Sequence, residues 1–346
     1  MKVLILHDHV AQTARKEETD TLVQVQAICS AMETLGHEWM TLGLTLDLDT
    51  ARIALDRLAP EVVFNVVESL GGFGRLIHVP CHLLDALEIP YTGASAEAML
   101  LTSNKLLGKR MMQLAGVPTA RWYTLDDLRQ SHVNVPAGRY IIKSVWEHAS
   151  IGLDEDSVIQ AQDARTLREA LESRLGRLGG EGFAEAYIDG REFNLGLLTR
   201  GGDRVEPEFL PPAEIDFAEY AADKIKVVGY RAKWDEESFE YSHTPPLYDF
   251  APHDQPLIDT LRSIALQCWR LFDLRGHARV DFRVDQQGRP WVLEVNANPC
   301  LSPDAGFQLA LHHRGVAFEQ AVARILKDVP EKCRDAVETK QEMQLE

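Results

Sequence analysis

The chain of 346 residues carries 36 Lys+Arg against 53 Asp+Glu, a formal net charge of −17, with 45% hydrophobic and 26% charged residues. That apolar content excludes a disordered or fibrous chain, and the absence of any basic run excludes a nucleic-acid surface, which needs clustered Lys and Arg to neutralise phosphates. At roughly 100–200 residues per domain the length predicts two or three compact units. No apolar run approaches the ~18 residues of a membrane span, and Lys2-Val-Leu-Ile-Leu6 is too brief for a signal-peptide core, so a soluble cytoplasmic protein is expected.

In chain order, an apolar run at residues 3–6, a helical period over 22–35, a second helix near 50–58 and a strand at 62–67 give the rhythm of a parallel sheet with covering helices. The C-terminal ends of such strands are where ligands bind, which singles out His7-Asp8-His9 and residues 65–74. A histidine at such a place reads first as a structural hydrogen-bonder. Gly71-Gly72-Phe73-Gly74 has neither dinucleotide-motif spacing nor the Lys-Ser/Thr of a P-loop, so a dehydrogenase is not expected. A helix around 103–115 then opens a strand-rich segment, with strands at 140–143, 183–188 and 192–198 around a helix at 164–178. A long amphipathic helix at 255–272 precedes a strand pair at 278–284 and 291–296. A last helix covers 318–326, and residues 331–346 read as a frayed helical tail.

The five cysteines (Cys29, Cys81, Cys268, Cys300 and Cys333) are odd in number and never paired as Cys-x-x-Cys, which suggests neither a disulfide framework nor a zinc site. Cys300 alone stands beside polar motif residues, and it reads as a small space-filling side chain before it reads as a nucleophile.

The segment with most chemistry is Ala278-Arg-Val-Asp-Phe-Arg-Val-Asp285, a Gln-Gln-Gly-Arg turn, and Pro290-Trp-Val-Leu-Glu-Val-Asn296. A turn centred on Gln287-Gly288 sets Val280 against Val295, Phe282 against Leu293 and Val284 against Trp291, an apolar face for the core. On the other face Asp281 lies across from Glu294, and Arg279 across from Asn296, with Cβ atoms roughly 4.5–5.5 Å apart. Two like charges held side by side destabilise a sheet unless a cation intervenes. That cation is either a metal of the Mg²⁺ or Mn²⁺ kind, taken by oxygen ligands and completed by phosphates, or Arg279 itself in an ion network.

With this acidic hairpin closing into Glu294-Val-Asn296-Ala-Asn-Pro299, the sequence resembles the ATP-grasp superfamily and, within it, the D-alanine–D-alanine ligases. The resemblance covers most of the chain. It runs in family order through Pro90-Tyr-Thr-Gly93, Asn104-Lys-Leu-Leu-Gly-Lys109, Gly116-Val-Pro118, Ile142-Lys143, Glu147-His-Ala-Ser150-Ile-Gly152, Glu185-Ala-Tyr-Ile188, Gly190-Arg-Glu192-Phe193 and Ala232-Lys233.

The resemblance implies a mixed α/β and α+β ATP-grasp fold. Its parts are a Rossmann-like domain over 1–98, a small central subdomain over 99–187 with a phosphate lid at 147–153, and a metal-bearing subdomain over 188–330, with a tail at 331–346. It implies ATP between two antiparallel sheets and two Mg²⁺ (or Mn²⁺) ions on Asp281, Glu294 and Asn296. Lys105, Lys143 and Lys233 are assigned to the phosphates, and Glu185, Ala186, Tyr187 and Ile188 to the adenine edge, mostly by backbone. Glu192 is assigned to the ribose, Ser150 to the lid, and Arg279 to the tetrahedral oxyanion. The chemistry implied is an acylphosphate formed from a carboxylate and γ-phosphate, then attacked by an amine. A homodimer through the first domain's helices is a further implication.

Four departures from the family pattern bear on the substrate. The family's His-Gly-Arg-Gly-Gly-Glu loop is here Val67-Glu-Ser-Leu-Gly-Gly72, so its substrate-side histidine is missing and Glu68 offers a carboxylate nearby instead. The serine that binds the first D-alanine aligns with Ala149, and the tyrosine after the phosphate lysine is Trp234. The family's Gly-Met-Thr-x-x-Ser-Leu run is Cys300-Leu-Ser-Pro-Asp-Ala-Gly306. Candidate substrate residues are therefore Glu17, Glu68, Asn298 and Ser302. The expected activity is a carboxylate–amine ligase for small amino-acid or peptide substrates, with no nucleic-acid or membrane partner. The alternatives are a true D-alanine–D-alanine ligase and a non-catalytic ATP-binding protein.

Overall fold

A computed structural model describes residues 1–11, 16–146, 152–202 and 206–330. Strand β1 (Lys2–Asp8) opens the chain, followed by α1 (Lys16–Thr34), β2 (Glu38–Leu44), α2 (Leu48–Leu58), β3 (Val62–Asn65), α3 (Val79–Ala86) and α4 (Ala96–Ser103). β1 lies between β2 and β3, parallel to both. Its side chains Val3 to Leu6 are at most 1% exposed, as an unbroken apolar run requires when both faces of a strand are covered. Val3, Ile5 and Phe64 pack on Ile28 and Met32 of α1, while Leu4, Leu6 and Val63 pack on Leu55, Leu84 and Met99 of α2, α3 and α4.

The helix expected at 103–115 is α5 (Lys105–Leu114), and α4 stands before it as a separate helix. Asn104 stands between α4 and α5 in an extended conformation, and its Oδ1 accepts from the backbone N–H of Leu106 and Leu107. A side chain that caps the next helix also ends the previous one.

After α5 come β4 (Trp122–Thr124), α6 (Leu125–Arg129), β5 (Gly138–Ser144), β6 (Val158–Ala161), α7 (Ala164–Arg174) and β7 (Gly182–Ala186). The strands form an antiparallel sheet ordered β4-β7-β5-β6. Its core is its own, built from Tyr123, Tyr140, Ile142, Leu167, Leu171 and Ala184 among others. Two boundaries differ from expectation: β7 stops at Ala186, so Tyr187 and Ile188 lie beyond it, and α7 stops at Arg174 before one tighter turn at Leu175–Arg177.

The remaining elements are β8 (Gly190–Leu198), β9 (Glu208–Phe209), β10 (Ala213–Ile215), α8 (Tyr230–Trp234), α9 (Phe239–Ser242), β11 (Pro246–Leu247), α10 (Gln255–Leu271), β12 (His277–Asp285), β13 (Pro290–Asn296), α11 (Gly306–Arg314) and α12 (Phe318–Lys327). The antiparallel order is β11-β10-β8-β12-β13, with β9 on β8. This sheet shares both its cores with the first one. Phe193, Val280 and Leu261 join Leu4 and Met99, while Leu198, Phe307 and Val322 join Val3 and Ile28. The first and third sheets are thus fused through apolar contact. No helix among the described residues is long and apolar enough to cross a membrane.

The β12–β13 register is half as expected. Val280 pairs with Val295, Asp281 with Glu294 and Arg279 with Asn296, but a bulge between Asp281 and Phe282 then pairs Phe282 with Val292, Arg283 with Trp291 and Val284 with Pro290. The pairings of Phe282 with Leu293 and Val284 with Trp291 are therefore corrected. The cause is the turn: Asp285 N–H donates to Arg289 O, enclosing three loop residues instead of two, and Gly288 takes the left-handed conformation (φ 76°) that such a loop needs. Leu293 is the extra residue of the bulge, which restores the pairing that places Asp281 beside Glu294.

Candidate active site

The site grows from one polar stripe across β8, β12 and β13. Side chains alternate along a strand, so Glu192 and Asn194 of β8 share a face with Arg283, Asp281 and Arg279 of β12 and with Glu294 and Asn296 of β13. Asp281 accepts a two-point contact from Arg279, Nε to Oδ1 at 2.7 Å and Nη2 to Oδ2 at 2.8 Å, and a third bond from Asn194 Nδ2 at 2.9 Å. These bonds keep Arg279 charged despite its burial, which by itself opposes charge. Glu294, a third exposed, has Lys105 Nζ at 3.7 Å. Glu192 is paired with Arg283 at 2.7 Å. Asn194 was not anticipated, though its spacing two residues from Glu192 on an alternating strand is the signal that marks it.

The opposed carboxylates are thus offset by Arg279 and Lys105, the ion-network alternative made concrete. The donor set still suits a divalent ion. Among the described residues no group of three or more His, Cys, Asp or Glu is placed to hold a metal. Two carboxylates with one amide oxygen are what Mg²⁺ takes when water and phosphate complete its shell. Asn296 Oδ1 accepts from Asn298 N–H at 3.0 Å, which fixes the direction of its amide.

Above the stripe lies a lysine cluster. Lys143, on β5, donates to Glu185 Oε2 at 2.8 Å, and Lys109, on α5, donates to Glu185 Oε1. Burial works hardest against the charge of Lys143, yet Glu185 more than offsets it and holds the ammonium above its ordinary pKa. Desolvation likewise opposes the Glu185 carboxylate, which the two lysines nonetheless hold below the usual range. The Glu185 carboxylate is 1% exposed beneath the lysines. The Ala186 and Tyr187 N–H groups donate to Arg121 O and Arg139 O, and Tyr187 Oη donates to Lys226 O. Ile188 is half-buried just past the strand. Lys233, half-buried on α8, has its pKa lowered by desolvation and by Arg279, against the pull of Glu294 and Asp281.

The opposite wall comes from the first sheet. At the end of β1, Asp8 accepts from Glu68 N–H, Ser69 N–H and Ser69 Oγ at 2.7–2.9 Å. Glu68 accepts weakly from Gln24 Nε2 at 3.4 Å. Desolvation and the neighbouring Asp8 push its pKa to about 8, with Asp20 adding and Arg279 opposing. Ser302 is fully buried and donates to Asp20 Oδ1 at 2.9 Å; Asn298 donates to Val67 O at 3.0 Å. Asn298 and Ser302 thus tie the segment after β13 to the first domain. The Cys300 thiol, 3.2 Å from Asp20 Oδ2, is pushed far up by burial, then by Glu68 and Asp20, which disfavours the thiolate a nucleophile needs. His7 is buried against Asp8 O, and His277 is pushed down to about 4 by burial, so both are structural. Ser150 and the Glu17 side chain lie outside the described residues, as does most of the lid.

Comparison with known proteins agrees with this geometry. A family model described as the D-ala D-ala ligase C-terminus matches residues 111–327. An uncharacterized protein of Sinorhizobium fredii, y4sG, is 30% identical over 87% of this chain and 85% of its own, and the D-alanine–D-alanine ligase of Gluconobacter oxydans is 28% identical over 88% and 92%. The crystal structure of D-alanine–D-alanine ligase from Bacillus anthracis shares the fold at 18% identity, with a TM-score of 0.68 over 95% of this chain and 97% of that one, and 0.65 for the same enzyme complexed with ATP. With that family model over most of the chain and a relative 30% identical across it, on a fold that sets a lysine cluster over an acidic hairpin, the chain belongs to the ATP-grasp, D-alanine–D-alanine ligase-like family of ATP-dependent carboxylate–amine ligases.

Proposed function

We propose that this ligase joins a small acid to an ammonium-bearing amino acid or short peptide, by way of an acylphosphate, and that its preferred pair is not two D-alanines. The observation that carries the reading is the juxtaposition of Arg279 with both walls: it is bonded to Asp281 of the acidic hairpin and acts electrostatically on Glu68 of the altered loop.

In the proposed reaction a carboxylate oxygen of the acid attacks the γ-phosphorus of ATP, and the bond from that phosphorus to the bridging oxygen breaks to release ADP. The amine nitrogen then attacks the acyl carbon, phosphate leaves, and the nitrogen loses a proton. Asp281, Glu294 and Asn296 are the residues to hold Mg²⁺, which when bound neutralises charge on phosphate oxygens. Lys143, Lys105 and Lys233 supply fixed positive charge for the phosphates, so that catalysis is mainly positioning and electrostatics. Arg279 stands where a tetrahedral oxyanion develops. Asp8, Asp20 and Glu68 line the opposite wall with acidic groups, Glu68 being held protonated up to about pH 8 by burial and by Asp8, so that wall offers acceptors to a substrate ammonium group and disfavours a second carboxylate there.

Phosphate release from Mg·ATP across D- and L-amino acids, pairs of them and short peptides, with mass spectrometry of each positive mixture, tests the reading. The expected product mass is the sum of two substrates less water, with D-alanine alone a poor substrate. Turnover of D-alanine at the level of the best pair would support instead the second reading, a true D-alanine–D-alanine ligase, which the names of the relatives favour.

A further inference from the structure

We propose that Lys109 is a positioning residue for nucleotide binding, acting through Glu185: it occupies one oxygen of that carboxylate, so that Lys143 on the other oxygen retains positive charge for the phosphates. This inference rests on the ligase reading above for the location of the nucleotide. Lys109 follows Lys105 by four residues on α5, and the two therefore project from the same side of the helix. Lys105, 10% exposed, reaches the partly exposed Glu294, whereas Lys109 is turned into the protein and is 1% exposed, against 14% for Lys143. The deeper lysine cannot meet a ligand, but it shares its carboxylate with one that can.

The charges explain why both lysines are there. With both ammonium groups charged, the carboxylate and its two lysines form a buried triad at net +1; burial and Lys143 pull the Lys109 pKa down against Glu185, so the arrangement is costly until an anion arrives. The other carboxylates in reach have their own cations, Glu294 near Lys105 and Glu192 on Arg283. Were Lys109 absent, Lys143 and Glu185 would form a neutral pair, and the attraction for polyphosphate at this point would fall. The position of Lys109 is fixed from one further side. Its Nζ donates to Thr119 Oγ1 at 2.8 Å, Thr119 donates in turn to Val292 O at 3.0 Å, and Val292 N–H returns to Pro118 O at 2.8 Å. Lys109 thus stands where α5, the small sheet and β13 meet.

ATP affinity of the full chain, measured by equilibrium titration in Mg²⁺ with a thermal melt for each variant, tests this. Lys109→Met is expected to weaken ATP binding on the order of tenfold or more. Adding Glu185→Gln to it removes the compensating charge and is expected to restore affinity to within about threefold of wild type, since buried ion pairs are often replaced by neutral side chains without loss of fold. Lys109→Gln, alone and with Glu185→Gln, carries the same comparison if the methionine variant fails to fold. A folded double variant no better than its single parent overturns the inference, because it would make the triad a scaffold and not a charge device. Wild-type ATP binding with Lys143→Met weakened and Lys109 variants unaffected overturns this inference alone. Failure of the wild type to bind ATP overturns the nucleotide reading and this inference together.

Discussion

At the proposed nucleotide end the buried carboxylates among the described residues are matched or outnumbered by cations: Glu185 lies between Lys109 and Lys143, Glu192 against Arg283, and Asp281 under the fork of Arg279. At the substrate end the balance is reversed. Asp8, Asp20 and Glu68 approach one another with Arg279 as the cation that acts on Glu68, and Asp8 and Asp20 are satisfied by amides, hydroxyls and a thiol. The mechanical arrangement differs in parallel, since the small sheet carrying Lys143 has its own core while the sheets carrying Asp8 and Asp281 share theirs. The contrast teaches which half of the chemistry is generic. A polyphosphate demands the same positive, partly independent jaw whatever is being ligated, whereas the fused walls can be re-decorated to suit the acid and amine.

The contrast breaks most severely at the residue common to both ends. Arg279→Lys keeps the charge but loses the planar fork, and kcat is expected to fall on the order of a hundredfold with the KM for ATP little changed. Steady-state kinetics that showed the reverse, a raised ATP KM at full kcat, would move Arg279 to the nucleotide end. Glu68→Gln sharpens the substrate end. The folded carboxyl titrates at about 8 and the unfolded one near its ordinary value, so between those pH values the native state binds the extra proton and stability falls as pH rises. The variant is therefore expected to match wild type in acid and to exceed it above pH 8 by on the order of 1–3 kcal/mol. Melts across pH 4–9 check this, and parallel curves would remove Glu68 from the buried cluster. The smallest effect is expected from Cys300→Ala, with kcat within about threefold of wild type, since its thiol is held protonated by burial and by Glu68. Loss of turnover there would restore a nucleophilic role.

Much of this architecture was legible in residue order. Strict alternation from Arg279 to Asp285 and again before Asn296 fixes which side chains share a face, and with it the opposition of Asp281 to Glu294. The bulge was not legible, because it depends on whether the turn encloses two residues or three, a choice settled by Gly288 in its left-handed conformation and by the core fit of Val292. Lys109 is one charged residue in a helix with several, and its depth is decided by Glu185, 76 positions away. Asp20 and Gln24 read as an ordinary helical surface. They are drawn inward by Ser302 and by Leu301 N–H, which Gln24 Oε1 accepts at 2.8 Å across 277 positions. Local patterning reveals strand faces and caps. It does not reveal polar side chains whose partners lie in another sheet.

In the proposed reaction the acid attacks ATP directly, and the protein supplies only charge and placement. Once a reacting acid–amine pair is found, the acid is supplied with ¹⁸O in both carboxylate oxygens and the phosphate formed is examined by mass spectrometry. One ¹⁸O atom transferred to each phosphate is the predicted result, since the oxygen that attacks the γ-phosphorus departs with it when the amine displaces phosphate. Unlabelled phosphate accompanying a stoichiometric amide product would contradict the acylphosphate route and the roles given to Arg279 and the lysines.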